Sequence, residues 1–109
     1  METNRRNYYR VSYPESERPR FVSGTSISEV MQFSERGLRF RTAGPPPVEG
    51  SEISGRFAMH HGYEVRVAGR VVWSDENTVA LNLDHVSIPF LAVMREQIYL
   101  RRTREQQHG

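Results

Sequence analysis

The stretch Tyr63-Glu64-Val65-Arg66-Val67-Ala68-Gly69-Arg70-Val71-Val72-Trp73-Ser74-Asp75-Glu76-Asn77-Thr78-Val79-Ala80-Leu81-Asn82-Leu83-Asp84 decides the fold class. Val65 and Val67 alternate with Glu64 and Arg66, and Val79, Leu81 and Leu83 alternate with polar or small neighbours. A period of two belongs to strands with one buried face. The polar run 74–77 is a turn, so the stretch reads as two strands folded back on each other, with Val79, Leu81 and Leu83 inward. Gly69 interrupts the first strand as a bulge or bend.

The same pattern continues towards the N-terminus. Residues 53–59 place Ile53, Gly55, Phe57 and Met59 on one face, and Leu38-Arg39-Phe40-Arg41-Thr42 alternates cleanly. Between them, Ala43-Gly44-Pro45-Pro46-Pro47-Val48-Glu49-Gly50 is a loop, because no strand interior accommodates three prolines. In residues 27–34, Ile27, Met31 and Phe33 are predicted inward and Ser28, Gln32 and Ser34 outward, with Glu29 and Val30 breaking the alternation. The tight connection Ser34-Glu35-Arg36-Gly37 joins this strand to the next, with Gly37 placed for a positive φ. Several short strands at near-regular spacing indicate a barrel or a sandwich, and closure into a barrel removes exposed edges in so short a chain.

Towards the C-terminus the period changes. Pro89 suits a first helical turn, with Ser87 as a capping candidate, and Leu91, Met94 and Ile98 predict an apolar stripe that ends at Arg101. Arg101, Arg102 and Arg104 complement the negative end of the helix dipole, and residues 105–109 are expected to fray. At the other end, residues 4–16 are basic and aromatic without a period and read as an arm; Pro14 and, just beyond it, Pro19 oppose a long helix there.

The 109 residues suffice for one domain and contain no Cys, which excludes disulfides, thiol catalysis and thiolate metal sites. No apolar run approaches the roughly 18 residues of a membrane span, and Met1-Glu2-Thr3-Asn4-Arg5-Arg6 lacks the apolar stretch of a secretory signal, so a cytoplasmic domain is expected. Net charge is only +2, yet all 15 basic side chains are Arg. Every cation is therefore a planar fork suited to phosphate and to flat rings.

No catalytic or metal constellation is present in the sequence, and no enzyme is expected. His60 and His61 are adjacent on a predicted strand and would point to opposite faces, and His85 and His108 have no spaced partner. There is no phosphate-binding glycine loop. Two polar clusters remain. In Arg5-Arg6-Asn7-Tyr8-Tyr9-Arg10, Arg6 and Arg10 are four apart, and two forks laid against a barrel would close on one anion or on guanine O6 and N7. In Gln32-Phe33-Ser34-Glu35-Arg36-Gly37, Gln32 and Ser34 share a face beside a tight turn while Phe33 enters the core.

Arg6-x-x-x-Arg10 followed by Gln32-Phe33-Ser34-x-x-Gly37 resembles the PilZ family. The resemblance implies a mainly β fold: a six-stranded antiparallel β-barrel with a C-terminal α-helix. It covers 1–109 as a single domain, with an arm at 1–16, the barrel at 17–86 and the helix and tail at 87–109. It also implies a receptor for the bacterial second messenger cyclic di-GMP that relays binding to an unidentified effector protein. Carried over, Arg6 and Arg10 form the clamp, Arg5 adds a third fork, Ser34 is a hydrogen-bond partner and Gly37 sets the turn. Gln32 stands where the family usually has Asp or Asn, and it offers guanine one carbonyl acceptor in place of a carboxylate. Trp73, the single Trp, shares by alternation the inward face of Val65, Val67 and Val71; a bulge at Gly69 would turn it out to stack on guanine. Both placements stay open.

Ligand binding is expected to order residues 3–13, which carry many Arg and few apolar anchors. No cofactor, metal or nucleic acid is expected. The alternative to the receptor is a degenerate PilZ adaptor that binds no nucleotide and acts through protein contacts. An OB-like binder of single strands fits less well, because the aromatic residues do not line up on one strand face.

Overall fold

A computed structural model describes residues 10–108, with side chains through Thr103. Arg5, Arg6, Arg104 and Gly109 therefore lie outside the described residues or side chains. The strands are β1 (Val11–Ser12), β2 (Arg20–Ser23), β3 (Ser26–Phe33), β4 (Gly37–Arg41), β5 (Glu52–Ala58), β6 (Glu64–Ser74) and β7 (Thr78–Val86). One helix, α1 (Phe90–His108), follows. Antiparallel pairing runs β3-β2-β5-β6-β7-β4 and returns to β3, so six strands close a barrel. β1 is an extra strand on β3, with Val11 opposite Phe33 and Ser12 opposite Gln32. The architecture matches the six-stranded barrel and terminal helix expected from the sequence.

Alternation builds the core. Phe57, Val65, Val67, Val71, Val79, Leu81 and Leu83 are all buried, together with Phe21, Val30, Phe33, Leu38 and Phe40 from the remaining strands. Each side chain of this size contributes roughly 1.5–3 kcal/mol when fully buried. The proline loop 43–50 lies outside any strand, as expected. At Gly69 a Cβ would come within 2.1 Å of the Asn82 carbonyl oxygen. The pairing shifts between Ala68 and Arg70, and the glycine is what lets β7 approach so closely.

Two further irregularities change the predicted faces. Val30 pairs with Phe40 but Gln32 pairs with Arg39, so Met31 is an extra residue in β3. Before it Ser28 and Val30 point inward; after it Phe33 does. Ile27, expected inside, is 58% exposed, and the broken alternation at Glu29 and Val30 is the trace of this bulge. In β6, Val71 pairs with Leu81 but Trp73 pairs with Ala80, so Val72 is likewise extra. Trp73 thereby leaves the core face and is 42% exposed.

The arm differs from expectation in its anchoring. Val11 and Tyr13 are both buried, and the Tyr13 amide donates to the Met31 carbonyl at 2.9 Å. Residues 11–13 therefore continue along β3 where β2 leaves off, and a single 3-10 turn at Glu15–Glu17 leads from them into β2. The expectation of few apolar anchors fails at these two residues. Gly37 is also corrected: among the described residues the glycines with positive φ are Gly24, Gly50 and Gly62, whereas Gly37 opens β4 in ordinary strand pairing with Asn82.

α1 buries a different stripe from the one predicted. Ala92, Val93, Glu96 and Leu100 face the barrel, while Leu91 and Ile98 are exposed. A small residue and a carboxylate in the buried row disguised it. Helical bonding starts at the Pro89 carbonyl, which accepts from the Ala92 and Val93 amides, so Ser87 lies outside the capping position. The helix continues to His108, past the point where fraying was expected.

Candidate functional site

The connection between β3 and β4 is fixed from three directions. The Ser34 amide donates to the Gly37 carbonyl at 2.9 Å, closing the turn. The carbonyls of Glu35 and Arg36 accept from the Ile88 and Leu83 amides at 2.9 and 2.8 Å. With its backbone groups taken by β7 and the approach to α1, this turn holds its side chains on a rigid support.

Beside it lies a surface pocket of about 190 Å³ whose polar lining comes from Arg10, Gln32, Ser34 and Arg39, with Gly37 and Ala80 also in its wall. Arg10 reaches it because the pairing of β1 with β3 brings the arm alongside Gln32. Phe33 enters the core, as expected, and Gln32 and Ser34 face the pocket together. A Cβ at Gly37 would sit 3.4 Å from the Ser34 hydroxyl, so this glycine leaves room at the pocket wall. The volume is below the roughly 300–1,000 Å³ usual for enclosed ligand sites. The pocket suits one end of a ligand whose remainder lies over the surface.

That surface is continuous. Strand register places Ser12, Gln32, Arg39, Ala80 and Trp73 in one row across β1, β3, β4, β7 and β6. The Arg39 guanidinium lies over the Trp73 ring, 5.6 Å from its centroid. Trp73 is thus placed on the outer face, on the strand next to the pocket wall and outside its lining. Arg39 was not singled out from the sequence. Its signal was present in the clean alternation of residues 38–42, which puts it on the outer face beside Gln32. Of the predicted site residues, the fold unites Arg10, Gln32, Ser34 and Gly37 and sets Trp73 nearby; Arg5 and Arg6 are outside the described residues.

A second polar cluster, missed from the sequence, ties the arm to the helix. Glu96 is fully buried, and its carboxylate accepts from the Tyr13 hydroxyl at 2.5 Å and from the His60 and His61 amides at 2.8 and 3.1 Å. His61 Nδ1 lies 2.8 Å from the same carboxylate. Burial alone would raise the pKa of Glu96, but the Tyr13 hydroxyl, the His60 amide and then the His61 groups outweigh it and hold the carboxyl below its ordinary value. Burial, followed by the hydrogen bond to Glu96 and its charge, pushes the Tyr13 hydroxyl far above the ordinary phenol range. His60 and His61 lie in the turn after β5, not on a strand, and both meet one carboxylate. Among the described residues no group of three or more His, Cys, Asp or Glu is placed to hold a metal ion.

A family model described as the PilZ domain matches residues 4–100, nearly the whole chain. The chain belongs to the PilZ family. PilZ domains are binding and adaptor domains, and the family is a known cyclic di-GMP-binding one. The crystal structure of an uncharacterized Legionella protein is similar to this PilZ domain over 94% of this chain and 100% of its own, with a TM-score of 0.52 and 12% identity. At that identity the likeness is one of fold. No curated protein matches the sequence. Among the described residues, no helix is long and apolar enough to cross a membrane.

Proposed function

We propose that this PilZ domain is a bacterial, cytoplasmic receptor for cyclic di-GMP that passes occupancy on to an effector protein. The observation that carries the reading is the meeting of Arg10 with Gln32, Ser34 and Gly37 around one pocket. These are parts of two motifs far apart in sequence. A guanine edge has donors and acceptors for the Gln32 amide and the Ser34 hydroxyl. Arg10 offers a planar fork to a phosphate or to guanine O6 and N7. Arg5 and Arg6, five and four residues earlier in the sequence, add two more. Trp73 supplies a flat ring for a second base, and the Arg39 guanidinium over that ring marks the kind of planar group it takes. The role is recognition alone, with no catalytic step and no cofactor or metal.

Titration with cyclic di-GMP, followed by calorimetry and by Trp73 fluorescence, tests the proposal. Saturable heat with a change in indole emission is expected. A folded protein giving neither is not a receptor for this nucleotide. One observation favours a second reading, an adaptor that binds no nucleotide. The Ser12 hydroxyl donates to the Gln32 carbonyl oxygen at 3.4 Å, which turns the amide acceptor towards the arm. The bond is long and exposed, so a guanine donor displaces it at small cost.

A further inference from the structure

Arg10 lines a second cleft on its other side. This one lies between β1 and α1 and has a volume of about 220 Å³, with Arg10, Val11 and Ser12 on one wall and Gln97, Leu100 and Arg101 on the other. Two arginines thus border one space, with no carboxylate among the lining residues. Among the described residues neither Arg10 nor Arg101 has an ion-pair partner; most other arginines have none either, and it is the shared cleft that sets this pair apart. Two guanidinium groups bordering one cleft favour an anion between them.

We propose that this cleft is a phosphate subsite in which Arg101 of α1 joins Arg10 in holding one phosphodiester of cyclic di-GMP. The inference rests on the receptor reading and extends it to the helix. Gln97 is one turn before Arg101 on the same helix face and adds an amide donor. The buried side chains of Val11 and Leu100 form the apolar floor. The space suits a phosphate group, not a whole nucleotide. The two segments that carry these forks are tied by one joint. Tyr13, three residues after Arg10, bonds to Glu96, five residues before Arg101. A phosphate bridging the two arginines therefore spans the arm and the helix across a support that is already fixed, and α1 is the element that registers occupancy.

Calorimetric titration of cyclic di-GMP into the parent chain, Arg101→Gln, Arg101→Lys and Arg102→Gln tests this. Arg102 is exposed and adjacent but does not line the cleft. Arg101→Gln is expected to weaken binding at least tenfold. Arg101→Lys should fall between that variant and the parent, because it keeps the charge and loses the fork. Arg102→Gln should stay within twofold of the parent. Parent-like affinity in Arg101→Gln overturns the subsite and leaves the receptor reading standing. Equal losses in Arg101→Gln and Arg102→Gln also overturn it, since a general field would then account for both. A parent chain that does not bind cyclic di-GMP removes the receptor reading and the subsite together.

Discussion

Glu96 and Arg10 stand at the centres of two polar clusters that the fold treats in opposite ways. Around Glu96 the charge is buried and its oxygens are occupied by Tyr13, His60 and His61. Around Arg10 the charge is exposed, and neighbouring Gln32 and Ser34 have spare donors and acceptors beside an open pocket. A buried carboxylate with its acceptors filled has nothing left for a ligand, so its work is to fix the arm against α1. On the receptor reading, the Arg10 fork on this wall awaits a ligand from solution. Both clusters touch the same short arm, one on its buried side and one on its exposed side.

The largest expected effect comes from breaking the filled cluster. Glu96→Ala leaves the buried Tyr13 hydroxyl and two part-buried amides without their acceptor. It should cost about 3–5 kcal/mol of stability, as removal of one partner from a buried polar set does. Urea unfolding measures it, and a loss below about 1 kcal/mol would mean that water fills the gap. Next is the open cluster. Arg10→Ala should leave the unfolding midpoint unchanged and weaken cyclic di-GMP binding by about 1.5–3 kcal/mol, the usual loss for a charge-assisted contact. Unaltered affinity in a parent that binds would take Arg10 out of the site.

Protonation of Glu96 sharpens the comparison more gently than its removal, since the acid keeps its shape and part of its bonding. The folded carboxyl lies below its ordinary pKa, so the unfolded chain binds the proton more readily. The stabilisation is complete above the ordinary carboxylate value of about 4.3 and is lost as pH falls through the lower folded value. Thermal melts across this window should show the loss, and Glu96→Gln should flatten that part of the profile. A slope unchanged in Glu96→Gln would assign the acid sensitivity to other carboxylates. The smallest effect is at Gln32. Gln32→Asp should tighten cyclic di-GMP binding by about 1 kcal/mol, roughly fivefold, because a carboxylate accepts two guanine N–H groups at once. Weaker binding in the Asp variant would show Gln32 to be a contact in its own right.

The strands and barrel were legible because Val65, Val67, Val79, Leu81 and Leu83 alternate without interruption, and alternation reports a face directly. The pocket was legible in part: the spacing of Gln32, Ser34 and Gly37 fixed a hairpin whose outer side is polar. Arg39 lay in plain view on a strand but belonged to no motif. Glu96 was hidden for another reason. Flanked by Arg95 and Gln97, it reads as a solvent-facing residue, and only the arrival of Tyr13, His60 and His61 from distant segments makes its burial tolerable. The true buried stripe of α1 runs through it, so the same residue misdirected the reading of the helix.

The extra residues Met31 and Val72 have a consequence for how relatives are compared. Gln32 and Trp73 belong to one row of the sheet, and each follows directly after an inserted residue. Counting by two from the core residues Val30 and Val71 would put Gln32 and Trp73 on the inner face, whereas their pairing with Arg39 and Ala80 puts both outside. A relative that lacked the extra residue would keep its Gln or Trp outside, one step after the core valine, by simple alternation. A single-residue gap in an alignment at either place is therefore compatible with an intact row. In this barrel the partner across the ladder, and not the parity of the sequence position, tells which face a residue takes.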